Sequence, residues 1–163
     1  MKILYLHQYF TFPTGSTGNR PYAFAKKLVN DGHDVKMVCL NYDASDTGLK
    51  KPFINGKRSG KVEGIEIIEF NLIYSNKKNF LLRSLIFLNF TLKSTIFSLR
   101  ENFDIIFCSS TPLTIAIPGI INRWLRGKIF IFEVRDKWPE LPVAMGVIRN
   151  SIMIRILRLL EII

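Results

Sequence analysis

"KILYLHQYFTFPTGSTGNRPYAFAKKLVNDGHDVKMVCL" (residues 2–40) is the stretch that decides how this chain folds. "KILYL" (2–6) is a short unbroken apolar run, the pattern of a strand buried on both faces. Residues 20–31 then place Tyr22, Ala25, Leu28 and Val29 at helical spacing, and "NDG" ends that helix with Gly32 as its left-handed cap. "DVKMVCL" (34–40) is a second apolar strand. Strand, helix and strand in so short a span form a parallel crossover unit.

The alternation continues outward from this unit. Residues 41–61 are polar, basic and glycine-containing, and read as a long loop. "IEIIEF" (65–70) is a third strand. "FLLRSLIFLNFTLKSTIFSLR" (80–100) is a long apolar helix, in which Leu81, Leu85, Leu88, Leu92, Ile96 and Leu99 form one stripe. If that stripe packs inward, Phe87, Phe90 and Phe97 stay partly outside. "FDIIFCS" (103–109) is a fourth strand. Residues 111–127 read as a helix with Pro112 near its start and a break or kink at Pro118. "KIFIFEV" (128–134) is a fifth strand, and 147–163 a last helix capped by Asn150 or Ser151. The expectation is one α/β domain, a Rossmann-like doubly wound parallel sheet. The stop in mid-helix at "LLEII" suggests a piece of a longer protein.

Composition narrows the partners. With 163 residues and 48% hydrophobic content the chain can build a core, and its net charge of +10 favours an anionic partner. Positive charge that merely aids solubility is the plainer alternative. Cys39 and Cys108 lie in apolar runs and read as small buried hydrophobes, not a disulfide or zinc site. No signal peptide or uncharged span of bilayer length is present, so a cytoplasmic protein is expected.

Ligands of open α/β sheets bind at the carboxyl ends of the strands. Three segments belong there: "HQYFTFPTGSTGNR", "CSSTP" and "EVRDKWPE". The first carries G-x-x-G through Gly15 and Gly18, not the dinucleotide fingerprint, and the chain has no Walker lysine. Near Asn19 and Arg20 a helix amino terminus and a cation could still favour a phosphate, although an ordinary turn explains the pattern equally well. In "SSTP", Ser110 or Thr111 can cap the following helix, and the hydroxyls of Ser109 and Ser110 could instead hold a sugar or phosphate. In "EVRDKWPE", Glu133, Arg135, Asp136 and Glu140 flank a strand end, with Trp138 shaping the turn; a surface loop with an Arg–Asp ion pair is the alternative. His7 ends the first strand and could face the cleft, whereas His33 reads as structural. No catalytic triad or metal-ligand cluster can be assembled, and neither metal nor cofactor is expected.

Taken together, "MKILYLHQYFTFPTGSTGNRPYAFAKKLVNDGHDVKMVC", "FDIIFCSSTPLTIAIPG" and "FIFEVRDKWPE" resemble the amino-terminal domain of a family 4 glycosyltransferase of GT-B architecture. The last segment looks like the "RDLWPE" element of the bacterial branch that builds surface polysaccharides such as capsule and lipopolysaccharide, including N-acetylfucosamine transferase-like proteins. The resemblance implies that residues 1–163 are the acceptor-side half of a two-domain enzyme. The absent carboxyl-terminal domain would bind the UDP- or GDP-sugar donor, and transfer would retain anomeric configuration without a metal. Gly15 matches the first glycine of the family's Gly-Gly pair at the donor diphosphate, and Ser16 stands in place of the second; Arg20 joins them there. Arg135 stands where many members carry histidine and would steady phosphate or acceptor charge. Asp136 is the candidate for the acceptor-hydroxyl contact, so Asp136 and Arg135 are the catalytic candidates. His7, Ser109, Ser110, Trp138 and Glu140 would line the acceptor side.

Acceptors in this branch are often polyprenyl-diphosphate-linked sugars. Arg83, Lys93 and Arg100 on the apolar helix, with Lys50, Lys51, Lys57 and Arg58 in one loop, point to an anionic membrane surface. The expected location is the inner face of the cytoplasmic membrane. The alternative function is a non-catalytic membrane-docking subunit that recruits a catalytic partner. Nucleic-acid binding rests on charge alone, and the aromatics do not interleave with a basic face, so no nucleic acid is expected.

Overall fold

The period of two within each strand sorts the sheet's side chains between two cores. The computed structural model describes residues 1–16, 18–110, 112–135, 140, 143, 146 and 151–162. The elements run β1 (Lys2–Leu6), α1 (Arg20–Asn30), β2 (Asp34–Tyr42), β3 (Lys57–Val62), β4 (Ile65–Tyr74), α2 (Phe80–Arg100), β5 (Ile105–Ser109), a 3-10 turn at Leu113–Ile115, α3 (Ala116–Arg126), β6 (Ile129–Glu133) and α4 (Ser151–Ile162). Among the described residues the strands form one sheet in the order β3-β4-β2-β1-β5-β6. Every pairing is parallel except β3 with β4. Leu4, Leu6, Val38, Leu40, Ile68 and Ile106 pack on one face with Phe90 of α2 and Ile115 of the 3-10 turn. Tyr5, Val35, Met37, Cys39, Ile65 and Ile67 pack on the other with Ala25 of α1. Burial on both faces is why these strands read as unbroken apolar runs.

The doubly wound α/β fold is as expected, with one added strand. The segment 41–61, read as loop, contains most of β3. Its sequence "KRSGKV" alternates exposed and half-buried positions with Val62 as its one large apolar residue, because an edge strand needs a partner on one side only. Its hairpin to β4 turns through Glu63 (φ 51°) and Gly64 (φ 88°), the two left-handed residues that a tight hairpin demands. Arg58 reaches from this edge to a buried carboxylate: Nε and Nη2 donate to Glu69 at 2.8 and 2.9 Å, and Thr47 Oγ1 donates to Glu69 at 2.7 Å. Gly32 (φ 82°) follows α1 in the left-handed conformation expected of it. Cys39 and Cys108 are free and buried, and burial pushes both thiols up.

Of the two orientations that the sequence left open for the long helix, the structure takes the one with the leucine stripe outward. Phe90, Ser94 and Ser98 are fully buried, and Phe87 and Phe97 pack against the core. The leucine stripe faces out: Leu81, Leu85, Leu88 and Leu92 are 71, 60, 56 and 60% exposed. Two facts select this rotation. The aromatic side reaches the sheet, where Phe90 and Phe97 meet Phe70 edge-on and Phe87 stacks on Tyr74. The small serines let α3 approach, and Asn122 Nδ2 donates to Ser98 Oγ at 2.7 Å. Arg126 then satisfies the helix's last carbonyls, donating to Ser98 O at 2.6 Å and Glu101 O at 2.9 Å.

Pro118 neither breaks nor kinks the following helix. It falls in the first turn of α3, where a missing N–H costs no hydrogen bond. The helix expected over 147–163 is seen as α4 from Ser151; its expected start and the Asn150 cap lie outside the described residues.

Candidate active-site cleft

Strand order reverses at β1. From there the chain moves to β2 and β4 on one side, then returns to add β5 and β6 on the other. The crevice between the carboxyl ends of β1 and β5 is the switch point at which such sheets bind ligands. β1 runs out into His7, β5 ends at Ser109, and β6 pairs Glu133 with Ser109. The topology therefore brings together residues far apart in sequence.

His7 is 2% exposed. Its Nδ1 lies 3.3 Å from Ser109 O and its Nε2 lies 3.5 Å from Arg135 Nη1. Burial, with the neighbouring Arg135 charge, lowers the imidazole from 6.5 to about 3. The ring is therefore neutral at pH 7: Nδ1–H donates to the carbonyl and Nε2 accepts from the guanidinium. His7 thus positions Arg135 and is not a free acid or base.

A second chain of contacts runs beside it. Ser109 Oγ donates to Glu133 Oε2 at 2.6 Å, and Arg20 Nη2 lies 2.7 Å from Glu133 Oε1. Ser110 N–H donates to Glu133 O at 3.0 Å, and Arg135 N–H donates to Ser110 Oγ at 2.8 Å. Tyr5 lies beneath, and burial, followed by the Glu133 charge, pushes its phenol up. The Glu133 carboxylate thus anchors Arg20, whose side chain is 58% exposed, and Arg135 is also exposed. Two guanidiniums presented at one crevice suit an anionic oxygen-rich ligand such as a diphosphate.

The expected site residues divide into three groups. His7, Arg20, Ser109, Ser110 and Arg135 converge at the crevice. Ser110 is not a helix cap: its hydroxyl takes the Arg135 N–H, and the 3-10 turn Leu113–Ile115 has Pro112 at its cap position and no side-chain cap; Thr111, the other expected cap, lies outside the described residues. Gly15 and Ser16 are engaged elsewhere. Ser16 Oγ donates to Ala44 O at 3.1 Å, and a side chain on Gly15 would overlap the Thr11 hydroxyl. That hydroxyl accepts from Asp46 N–H at 2.9 Å, and Thr14 Oγ1 donates to Asp46 Oδ2 at 2.6 Å. Hydrogen bonds from Thr14 and from Gly48 N–H hold the Asp46 carboxyl below the usual range. The close approach that requires glycine at 15 is thus to the chain's own β2–β3 connection. Glu140 is exposed. Asp136 and Trp138 lie outside the described residues.

Glu133 stood out in the sequence only as one of four groups flanking a strand end; the structure makes it the organiser of the crevice. Two further groups did not stand out in the sequence. Gln8 is fully buried, and neither amide atom meets a hydrogen-bond partner. Tyr9, Tyr42 and Tyr74 cluster at 5.0 to 5.4 Å between ring centroids, with Asn76 linking the last two hydroxyls. These tyrosines lie at sequence separations that no local pattern connects. At the opposite pole a cavity of about 620 Å³ is lined by Lys2, Asp34, Lys36 and Glu101 among others. There Lys36 is already paired with Glu66 and Glu101.

No protein-family model and no curated protein sequence match the chain. Solved structures do. The carboxyl-terminal domain of a hydrogenase from Pyrococcus furiosus is similar over 81% of this chain and 90% of its own, at 16% identity and a TM-score of 0.55. Sucrose-phosphate synthase from Thermosynechococcus elongatus is similar over 92% of this chain, at 11% identity and a TM-score of 0.56. The chain spans 36% of that synthase. These likenesses show the shared Rossmann-like α/β fold.

Proposed function

We propose that this chain is the acceptor-side wall of a glycosyl-transfer site. It works with a second, donor-binding domain to move a sugar from a nucleotide sugar to a saccharide carried on a polyprenyl diphosphate. The observation that carries the reading is the pair of exposed guanidiniums, Arg20 and Arg135, held at the switch-point crevice by Glu133 and His7. The likeness of the fold to sucrose-phosphate synthase, a glycosyltransferase, supports the same class of chemistry. Sequence resemblance to family 4 glycosyltransferases adds retention of configuration and the division between acceptor and donor domains.

In this reading the residues bind and orient. Arg135, steered by neutral His7 and by Ser110, faces the acceptor's charge. Arg20 meets the donor diphosphate as the second wall closes, where fixed cations stabilise the leaving group's growing charge. Asp136 would touch the acceptor hydroxyl.

The chain as it stands tests the division of labour. Proton–nitrogen NMR of the chain, titrated with a short-chain polyprenyl-diphosphate saccharide, should shift the Ser110 and Arg135 signals. Calorimetry with UDP- and GDP-sugars should show weak binding or none. Micromolar, stoichiometric donor binding, or no response to the saccharide diphosphate, overturns the reading.

A further inference from the structure

We propose that the outward leucine face of α2 docks the protein on an anionic lipid bilayer, with the helix lying in the interfacial plane. The inference names the partner of the reading above and rests on it only for where the acceptor comes from.

Three observations carry it. First, the exposed face carries a long aliphatic stripe. Leu81, Leu85, Leu88, Leu92, Ile96 and Leu99 are 36 to 71% exposed and follow one side of the helix for roughly 27 Å, at about 1.5 Å per residue. A patch of this kind on a soluble surface marks an interaction site. Second, the surroundings are cationic without counter-charge. α2 carries half-buried Lys93 and exposed Arg100, α3 carries exposed Arg123, and neither helix has a carboxylate; Arg83, with its Nε buried, and Arg126, bound to Ser98 O and Glu101 O, are turned to the protein. α3 lies beside α2 on the same face of the sheet and exposes Trp124 (66%) and Leu125 (73%). Aliphatic side chains flanked by Lys and Arg, with a nearby tryptophan, match the headgroup boundary of an anionic membrane. Third, the opposite side of α2 is committed to the core through Phe90, Ser94 and Ser98. Among the described residues no helix is long and apolar enough to cross a membrane, so α2 would lie on the bilayer.

Charge selects the bilayer over a second copy of the chain. Two copies meeting through α2 would bring two acid-free basic flanks together, in a chain of net charge +10. An anionic leaflet supplies the missing counter-charge to Lys93, Arg100 and Arg123.

The test is co-sedimentation of the chain with vesicles of phosphatidylcholine alone and of phosphatidylcholine mixed with phosphatidylglycerol, with no sugar present. Binding is expected to the mixed vesicles and not to the neutral ones. L85Q/L92Q alters two exposed side chains and should keep the circular dichroism of the parent while weakening binding about 100-fold. K93Q/R100Q should weaken it roughly 30-fold. Absence of binding by the parent, equal binding to both vesicle types, or undiminished binding by L85Q/L92Q overturns the proposal. So does a dimer in sedimentation velocity that L85Q/L92Q dissociates, since the face would then belong to a second copy. Because no saccharide is present, failure here leaves the transfer reading standing, and failure of saccharide binding leaves the docking face standing.

Discussion

Removing His7 from the crevice should change how stability depends on pH, and the size of the change follows from burial. The imidazole is completely buried between Ser109 O and Arg135, and its pKa falls from 6.5 to about 3. Between these values the unfolded chain binds a proton that the folded chain refuses. Stability from this group is therefore fully present above 6.5 and is lost as pH falls toward 3. At pH 5 an unfolded histidine is almost wholly protonated, about 1.5 pH units below its pKa, so the loss is about 2 kcal/mol. Against a total stability of roughly 5–15 kcal/mol this is easily measured. The assay is urea unfolding of the parent and of His7→Gln from pH 8 to pH 5. Other ionisable groups act alike in both proteins and cancel in the difference. The stability difference between parent and variant should shrink by about 2 kcal/mol over that range. Parallel curves would refute the reasoning, as would a His7 ring signal titrating between pH 6 and 7 in the folded parent.

Two further predictions concern orientation and a buried charge. Phe90→Ala should destabilise by about 3–5 kcal/mol and Leu88→Ala by no more than about 0.5 kcal/mol, read from urea midpoints; the reverse order would mean that α2 packs through its leucines. Arg58→Met strands the Glu69 carboxylate in the core with Thr47 as its remaining donor, and should cost about 3 kcal/mol in the same assay, with Arg58→Met/Glu69→Leu recovering most of it.

Continuous apolar runs made the central strands legible, because runs this short, bounded by polar and glycine-containing segments, fit a strand covered on both faces better than a helix. Gly32 and "NDG" located the end of α1 for an equally local reason. What local pattern could not decide was which of two apolar sides of α2 faces the sheet. Leucine and phenylalanine both recur there at helical spacing. The choice is made by partners distant in sequence: Phe70 and Tyr74 on the sheet, and Asn122 on α3, which needs Ser98 beside it. The edge strand β3 was hidden because a charged strand with one neighbour carries no burial signature. At the crevice, the converging loops were legible from topology and the roles of single side chains were not. Ser110 has the composition of a helix cap, yet Arg135 N–H takes its hydroxyl, a contact spanning 25 residues.

The two proposed surfaces constrain each other through the direction of one helix. β4 ends at Tyr74 and α2 begins at Phe80, so the amino end of α2 starts from the carboxyl edge of the sheet. That is the edge where His7, Ser109 and Glu133 meet. A bilayer lying along the leucine face would thus run up to the rim of the crevice. An acceptor held by a polyprenyl tail could place its diphosphate near the exposed Arg135 without leaving the interface. Docking would then replace a search in three dimensions by one in the membrane plane. If so, variants of the leucine face should raise the Kd of the chain for a long-chain polyprenyl-diphosphate saccharide held in vesicles and leave that for a water-soluble short-chain analogue unchanged, whereas Arg135→Ala should weaken both. The contrast separates a surface that delivers the acceptor from a residue that holds it.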